Sequence, residues 1–87
     1  MNWGMVNQVV DAPGLMASVL EIAKKIAANA PISVRQAKKA IHHGLDVDLK
    51  TGLALEIEAY NCTVVTEDRL EGMKAFAEKR QPKFAGR

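Results

Sequence analysis

The chain has 87 residues, so it forms one domain at most, or part of one, with a small buried core. Its composition of 48% hydrophobic and 25% charged residues is typical of a globular protein and excludes an intrinsically disordered one. The single cysteine, Cys62, excludes an internal disulfide, and a net charge of +2 is too small for a dedicated nucleic-acid-binding protein.

The first residues of the chain show no targeting pattern. Met1-Asn2-Trp3-Gly4 has no basic region followed by a long apolar run, so no signal peptide is predicted. No stretch approaches the ~20 apolar residues of a membrane span. We therefore expect a cytoplasmic protein that has no membrane partner.

Residues 4–10 form the first predicted element. Their sequence, GMVNQVV, is short and rich in β-branched side chains, and Asp11, Pro13 and Gly14 follow it. We predict one strand, or an extended arm, that ends in a turn. A lone strand leaves its backbone polar groups unpaired, and no later segment looks like its partner. We therefore expect this segment to belong to a core that lies upstream of these residues.

Three helices are predicted over residues 15–65. The first covers residues 15–29 and ends before Pro31, because the residue that precedes a proline disfavours helical geometry. Its apolar side chains recur at helical spacing and its charged side chains project from the opposite face. The apolar stripe consists of Leu15, Val19, Ile22, Ala23 and Ile26.

The second helix begins at Pro31 or Ser33 and ends at Gly44. An N-cap at Asp46 or Asp48 begins a longer third helix. This third helix is apolar on two sides, so we expect it to be sandwiched within the domain or against another chain. One side carries Leu49, Leu53, Ile57, Tyr60 and Val64, and the other carries Leu55, Ala59 and Cys62.

Residues 66–87 form the last predicted helix and a tail. Thr66 is the expected N-cap, and the two acidic residues after it place negative charge near the positive end of the helix dipole. The helix is expected to end at residue 79 or 80, since Pro82 prevents its continuation. Together the elements predict a mainly α fold with about four helices after a short N-terminal extended or strand segment. The core stripe of the last helix is predicted to be Leu70, Met73 and Ala77, with Phe76 at its edge.

The end of the last helix carries a candidate binding site. Lys79 and Arg80 follow Phe76 by three and four residues, about one helical turn. A flat ring beside one or two cations suits a ligand that has an aromatic base and a phosphate. The same spacing also fits a structural role, in which Phe76 packs on a neighbouring helix and the basic residues favour the helix C-terminus. Spacing alone favours the structural role.

Other polar residues do not form a catalytic or metal site. His42 and His43 are adjacent, so they diverge on a helix, and we expect them to be solvated at its C-terminus. Glu56 lies within an apolar stripe, but an ion pair or hydrogen bond with Arg69 or Lys38 is expected there rather than acid–base chemistry. No Ser-His-Asp arrangement, glycine-rich phosphate loop or metal motif occurs, so no catalytic or metal-binding residue is assigned.

Four segments share their order with one known family. They read GMVNQVV, IAANAPISVRQAKKAI, LDVDLKTGLALEIEAYN and TEDRLEGMKAFAEKRQPKFAGR. In this order they resemble the C-terminal end of the enoyl-CoA hydratase/isomerase (crotonase) superfamily, over essentially the whole chain. The most specific part is Thr66-Glu67-Asp68, then Glu71-Gly72, Ala75-Phe76, Glu78-Lys79-Arg80 and Pro82-x-Phe84.

The resemblance implies a division of labour between this chain and an upstream core. The core is expected to supply backbone N–H groups that bind a thioester oxygen and glutamates that act on water, so this chain alone is expected to be inactive. The helical end is expected to cover the active site and to build trimers, or hexamers made of two trimers. The full-length parent is expected to hydrate a 2-enoyl-CoA.

The resemblance also implies a binding role for two residues of the last helix. In the family, residues at this position contact the adenine and the 3′-phosphate of coenzyme A, and the matching positions here are Phe76 and Lys79. The expected ligand is an acyl-CoA substrate, and no covalently bound cofactor is expected.

A stand-alone helical module is the competing hypothesis. It would self-associate through the two-sided third helix and have no catalytic role. A nucleic-acid partner is not expected, because the basic tail lacks a recognition helix and a series of stacking aromatic residues.

Overall fold

Four α-helices follow one another along the chain, and a computed structural model describes residues 3–87. Within these residues there is no strand, so the predicted mainly α fold with about four helices is confirmed. None of the helices in this range combines the length and apolar character that crossing a membrane requires. The helices are α1 (Leu15–Ala27), α2 (Pro31–Gly44), α3 (Leu49–Val64) and α4 (Glu67–Ala77), preceded by a 3₁₀ turn at Ala12–Gly14.

Side-chain caps begin α3 and α4 at predicted residues. Asp48 accepts hydrogen bonds from the backbone N–H of Thr51 at 3.1 Å and from its hydroxyl at 2.6 Å. The hydroxyl of Thr51 is the main reason that the pKa of the Asp48 carboxyl is lowered. Thr66 accepts the backbone N–H of Arg69 at 3.2 Å. Both bonds from backbone N–H groups satisfy donors that the first turn of a helix leaves unpaired.

Residues 4–10 form no strand within the described residues, and the prediction of a strand or extended arm that belongs to an upstream core stays a prediction. No second strand is available among residues 3–87, and the segment therefore has no ladder of backbone hydrogen bonds. The side chain of Ser18 donates a hydrogen bond to that of Gln8 at 3.2 Å, which links the arm to α1. Apolar side chains of the arm and of the residue before it are exposed to solvent, with Met5 88% and Trp3 91% exposed.

α2 and α3 form the one extensive helix–helix contact of the described residues. Gly52 permits a close approach, since a Cβ at this position would lie 3.4 Å from the carbonyl oxygen of Gly44. Ala59 of α3 is buried. The opposite side of α3 is uncovered within residues 3–87: Leu53 is 51% exposed, and Ile57 and Tyr60 are each 61% exposed. Residues 3–87 therefore do not supply a packing partner for the second apolar side of α3.

The molecule is flat and exposes much more surface than a compact protein of its size. It measures 42 × 39 × 18 Å and has a radius of gyration of 16.3 Å, whereas a compact chain of this length has about 12 Å. Its accessible surface is 7559 Å², whereas a compact monomer of this mass exposes about 5,000 Å². The excess is rich in aliphatic side chains of α1 and α3.

Candidate functional site

The tail after α4 folds back along the helix and is fixed by a buried carboxylate. Asp68, only 2% exposed, accepts the backbone N–H groups of Ala85 at 2.6 Å and Gly86 at 2.8 Å. The N–H of Asp68 in turn donates to the carbonyl oxygen of Arg87 at 3.1 Å. A carboxylate that accepts two backbone N–H groups makes strong, charge-assisted bonds, so the tail has a defined position on the helix.

A second acidic residue of α4 binds the tail nearer to the end of the helix. Glu71 makes a two-pronged ion pair with Arg80, with distances of 2.6 Å to Nη1 and 3.0 Å to Nη2. It also accepts the backbone N–H of Lys83 at 2.7 Å. The hydrogen bond from Arg80 is the main cause that lowers the pKa of Glu71 to about 2, and the same bond raises the pKa of Arg80.

Small residues let the tail lie close to the helix. Ala75 is 1% exposed, and a Cβ added to Gly72 would lie 3.7 Å from the ring of Phe84. The packed face of α4 therefore contains residues 68, 71, 72 and 75. The predicted core stripe is wrong in this respect, because Leu70 is 61% and Met73 51% exposed.

α4 ends at Ala77, two or three residues earlier than predicted, in a left-handed turn. The N–H of Arg80 donates to the carbonyl of Ala75 at 3.0 Å, and the N–H of Lys79 donates to that of Phe76 at 3.2 Å. This bond pair is the Schellman motif, which places one residue in the left-handed region and usually uses glycine there. Here that residue is Lys79, with φ of 53°.

The two predicted site residues come together at this turn. Phe76 and Lys79 are joined by their backbone hydrogen bond, and both side chains are exposed, Phe76 at 87%. The Lys79 ammonium has no ion-pair or hydrogen-bond partner among residues 3–87. The arrangement offers an aromatic face and an unpaired cation, which can stack on a base and attract a phosphate.

Arg80, the other cation of the predicted site, is engaged elsewhere. It binds Glu71 through two nitrogens, and its Nε donates to Glu78 at 2.6 Å. It also donates to the carbonyl oxygen of Gln81 at 3.2 Å. Because most of its donors are occupied, Arg80 supports the turn rather than offering charge to a ligand.

The remaining polar candidates stay apart from this site. Glu56 is exposed and forms no ion pair with Arg69 or Lys38, so the expected pairing is wrong; the Arg69 guanidinium donates to the carbonyl oxygen of Val64 instead. His42 and His43 lie exposed in the last turn of α2, as predicted. Among residues 3–87 no group of His, Cys, Asp and Glu side chains could hold a metal ion.

Comparison with known proteins assigns the family. The family described as enoyl-CoA hydratase/isomerase matches residues 1–87. The chain belongs to the enoyl-CoA hydratase/isomerase family. The resemblance seen in its sequence motifs is thereby confirmed.

Individual relatives are similar along nearly the whole chain. It is 51% identical to YngF of Bacillus subtilis over 83 residues, which are 95% of this chain and 32% of that protein. It is 46% identical to the short-chain-enoyl-CoA hydratase of Clostridium acetobutylicum, covering 90% of this chain and 30% of that one. The crystal structure of an enoyl-CoA hydratase from Bacillus anthracis superposes with a TM-score of 0.96 at 50% identity, covering 99% of this chain and 33% of that one. The chain thus spans about a third of the length of these relatives.

Sequence reasoning found the two exposed residues but missed what holds them. The sequence assigns Asp68 only a favourable interaction with the helix dipole, and Glu71 and Gly72 only a match to the family motif. It does not indicate that Asp68 and Glu71 bind the tail. A signal was present, because Asp68 and Glu71 are three residues apart on one helical face and Pro82 prevents the helix from continuing beyond them. The backbone N–H groups after Pro82 needed acceptors, and this face offers them.

Proposed function

We propose that this chain serves as the helical, oligomer-forming and pocket-covering part of an enoyl-CoA hydratase/isomerase enzyme that hydrates a 2-enoyl-CoA. In this role Phe76 stacks on the adenine of coenzyme A and Lys79 pairs with its 3′-phosphate. The observation that carries the proposal is that the exposed Phe76 ring (87%) and the unpaired Lys79 ammonium belong to residues joined by a backbone hydrogen bond, on a turn whose other charged groups are bound to one another. Coenzyme A is part of the substrate here.

The exposed apolar faces support the part of the proposal that concerns assembly. The surface beyond that of a compact monomer is about 2,500 Å², an area on the scale of obligate interfaces. Large contiguous apolar faces are rare on proteins that remain monomeric. A trimer, or a hexamer of two trimers, together with the fold that precedes these helices in relatives, would cover them.

Chemistry in the complete enzyme is proposed to take place outside the described residues. Among residues 3–87 no group of His, Cys, Asp and Glu side chains could hold a metal ion, and Glu71 and Glu78 are both bound to Arg80. The contribution of this part is to position the substrate, which can supply a large share of a rate enhancement when reacting groups are held in place. We therefore expect the 87-residue chain alone not to hydrate crotonyl-CoA, and measurable hydration would contradict the proposal.

A hybrid enzyme tests the binding role. This chain replaces the matching third of the Bacillus anthracis enoyl-CoA hydratase, with which it shares 50% identity, and crotonyl-CoA turnover is measured. Lys79→Ala is expected to raise KM about tenfold, equivalent to about 1.4 kcal/mol, and to leave kcat close to that of the unmodified hybrid. Phe76→Ala is expected to cost about 1–3 kcal/mol of binding.

The control is Lys50→Ala, which removes an exposed lysine at the start of α3, far along the chain from this turn. It is expected to leave KM unchanged. If Lys79→Ala and Phe76→Ala also leave KM unchanged, the nucleotide role is wrong.

The competing function is a helical module that self-associates and does not bind coenzyme A. The uncovered sides of α1 and α3 favour association in either case, so binding of coenzyme A must separate the two. Sedimentation of the chain with and without coenzyme A makes this distinction. Assembly that ignores both coenzyme A and the Lys79→Ala substitution would favour the module.

A further inference from the structure

The residue that carries the proposed phosphate contact has an unfavourable backbone conformation. Lys79 has φ of 53°, in the left-handed region that is unfavourable for any residue with a Cβ. Such a conformation persists only when its surroundings hold it in place. Two backbone hydrogen bonds close the turn, but glycine could form the same bonds without strain.

The side chains around the turn supply the missing restraint. Arg80 directly follows Lys79, and its guanidinium is held by both oxygens of Glu71, nine residues earlier in α4. Glu71 also accepts the backbone N–H of Lys83 on the other side of the turn. Arg80 and Lys83, which both follow Lys79 in the chain, are thus attached to one carboxylate on the body of the helix.

The same network also leaves the Lys79 charge available. Glu78 is its acidic neighbour in sequence, and the carboxylate of Glu78 is bound by Arg80 Nε at 2.6 Å. Arg80 therefore neutralises two carboxylates that could otherwise pair with the ammonium. A cation without a carboxylate partner keeps its full attraction for an incoming phosphate.

We propose that Glu71, acting through Arg80, is a positioning residue: it holds the left-handed turn at Lys79 and so directs the Lys79 ammonium towards a phosphate of the ligand. This inference rests on the proposed nucleotide-binding role of Lys79 and adds to it the device that places the charge. Glu71 itself does not touch the ligand.

The structural part of the proposal is tested on the 87-residue chain by amide hydrogen exchange. Glu71→Gln keeps the shape of the side chain and removes its charge. It is expected to speed exchange at the N–H groups of Arg80 and Lys83 at least about tenfold, because both depend on the ion pair. Glu67→Gln is the matched control, because it removes the exposed pair with Arg87 (69% and 75% side-chain exposure), which also links α4 to the tail. The control is expected to leave exchange at Arg80 unchanged.

The positioning part is tested in the hybrid with two substrates, crotonyl-CoA and its 3′-dephospho analogue. The unmodified hybrid is expected to have a KM about tenfold lower for the substrate that carries the phosphate. In Glu71→Gln this preference is expected to fall to within about twofold, and Glu67→Gln is expected to retain it.

The outcomes separate the two proposals. If the unmodified hybrid shows no preference for the 3′-phosphate, the role of Lys79 is wrong, whereas faster exchange in Glu71→Gln would still establish the restraint of the turn. If the preference exists and survives Glu71→Gln, the positioning role is overturned. Rapid exchange at Arg80 in the unmodified chain would also overturn it, since the turn would then not be held.

Discussion

The last helix with its tail and the first helix with its arm differ in how far their polar and apolar groups find partners within the same segment. Residues 66–87 bury Asp68 and Ala75 and pair their acidic groups with backbone N–H groups and Arg80 of the same segment. α1 makes its main contact with the adjacent 3₁₀ turn, one hydrogen bond from Ser18 to Gln8 links it to the arm, and its large apolar side chains are all 44–68% exposed. Residues 66–87 are therefore fixed by contacts among themselves, whereas α1 needs another surface to bury its apolar face.

The difference indicates where function can be placed most precisely. A binding group keeps its geometry when its support lies in the same segment, and Phe76 and Lys79 have such support. α1 is an ordered helix whose apolar face can pack against a partner, which suits a role in assembly. Five measurements on variants of the two segments test this comparison.

Asp68→Ala is expected to have the largest effect. It leaves the N–H groups of Ala85 and Gly86 without their acceptor in a partly buried place, which costs about 3 kcal/mol and speeds their exchange roughly a hundredfold. Amide exchange by NMR measures the change. Glu67→Ala, its exposed neighbour, is the control and should leave both groups protected. Equal protection in Asp68→Ala would mean that the carboxylate does not hold the tail.

Ala75→Leu is expected to rank second. Ala75 is 1% exposed against the tail side of α4, so a larger side chain there overpacks the site and costs about 1–3 kcal/mol of unfolding free energy. Ala77→Leu makes the same change at an exposed position of this helix and should stay within about 0.5 kcal/mol. Urea unfolding compares the two variants, and the reverse order would restore the predicted face of 70, 73 and 77.

That contrast shows which parts of the fold can be inferred from the sequence. The cap Thr66 was predicted correctly, and Pro31 and Asp48 were each one of two predicted residues, because these boundaries depend on neighbouring residues. The packed face of α4 was not predicted correctly. It contacts an irregular tail, whose hydrophobic residues do not recur at a regular spacing. The partners of Asp68 are backbone groups 17 and 18 residues away, and side-chain patterns do not reveal those.

The candidate site was also predictable only in part. The spacing of Phe76 and Lys79 predicted that they lie close together. Only the family motif favoured a binding role for them over a structural one. The left-handed backbone at Lys79 could not be predicted, because glycine is the usual residue at such a position. Spacing likewise offered Arg80 as a second ligand-binding cation, and its pairing with Glu71 depends on the shape of the turn.

Lys79→Gly is expected to change stability by a smaller amount and with the opposite sign. Glycine relieves the left-handed strain and should stabilise the 66–87 segment by about 0.5–1 kcal/mol. Lys74→Gly, inside the same helix, should instead destabilise it by about 1 kcal/mol. Thermal unfolding of both variants checks the sign. Destabilisation by Lys79→Gly would mean that Lys79 is not strained in solution.

The pH dependence of the Glu71–Arg80 pair gives a fourth test. The pKa of Glu71 is lowered to about 2, below its ordinary value of 4.5, so its ionised form is favoured in the folded chain. Its contribution to stability is therefore complete above pH ~4.5 and is lost as the pH falls towards 2. The stability difference between the unmodified chain and Glu71→Gln should shrink over this interval. A difference that is constant from pH 6 to 2 would contradict the ion pair.

Ile22→Ala in α1 is expected to have the smallest effect on the chain at low concentration. Ile22 is 44% exposed, so its truncation removes little buried surface, and alanine is the better helix former. A change within about 0.5 kcal/mol is expected, whereas truncating a fully buried isoleucine typically costs about 2–5 kcal/mol.

The same variant shows whether a second copy covers α1. Binding between copies makes stability depend on concentration, and a variant that weakens this binding loses stability only where association occurs. Unfolding of Ile22→Ala and of the unmodified chain should therefore coincide in dilute solution and diverge as concentration rises, while Asp68→Ala differs from both at every concentration. A large cost of Ile22→Ala in dilute solution would show that α1 is buried within one chain, and the contrast between the two segments would be wrong.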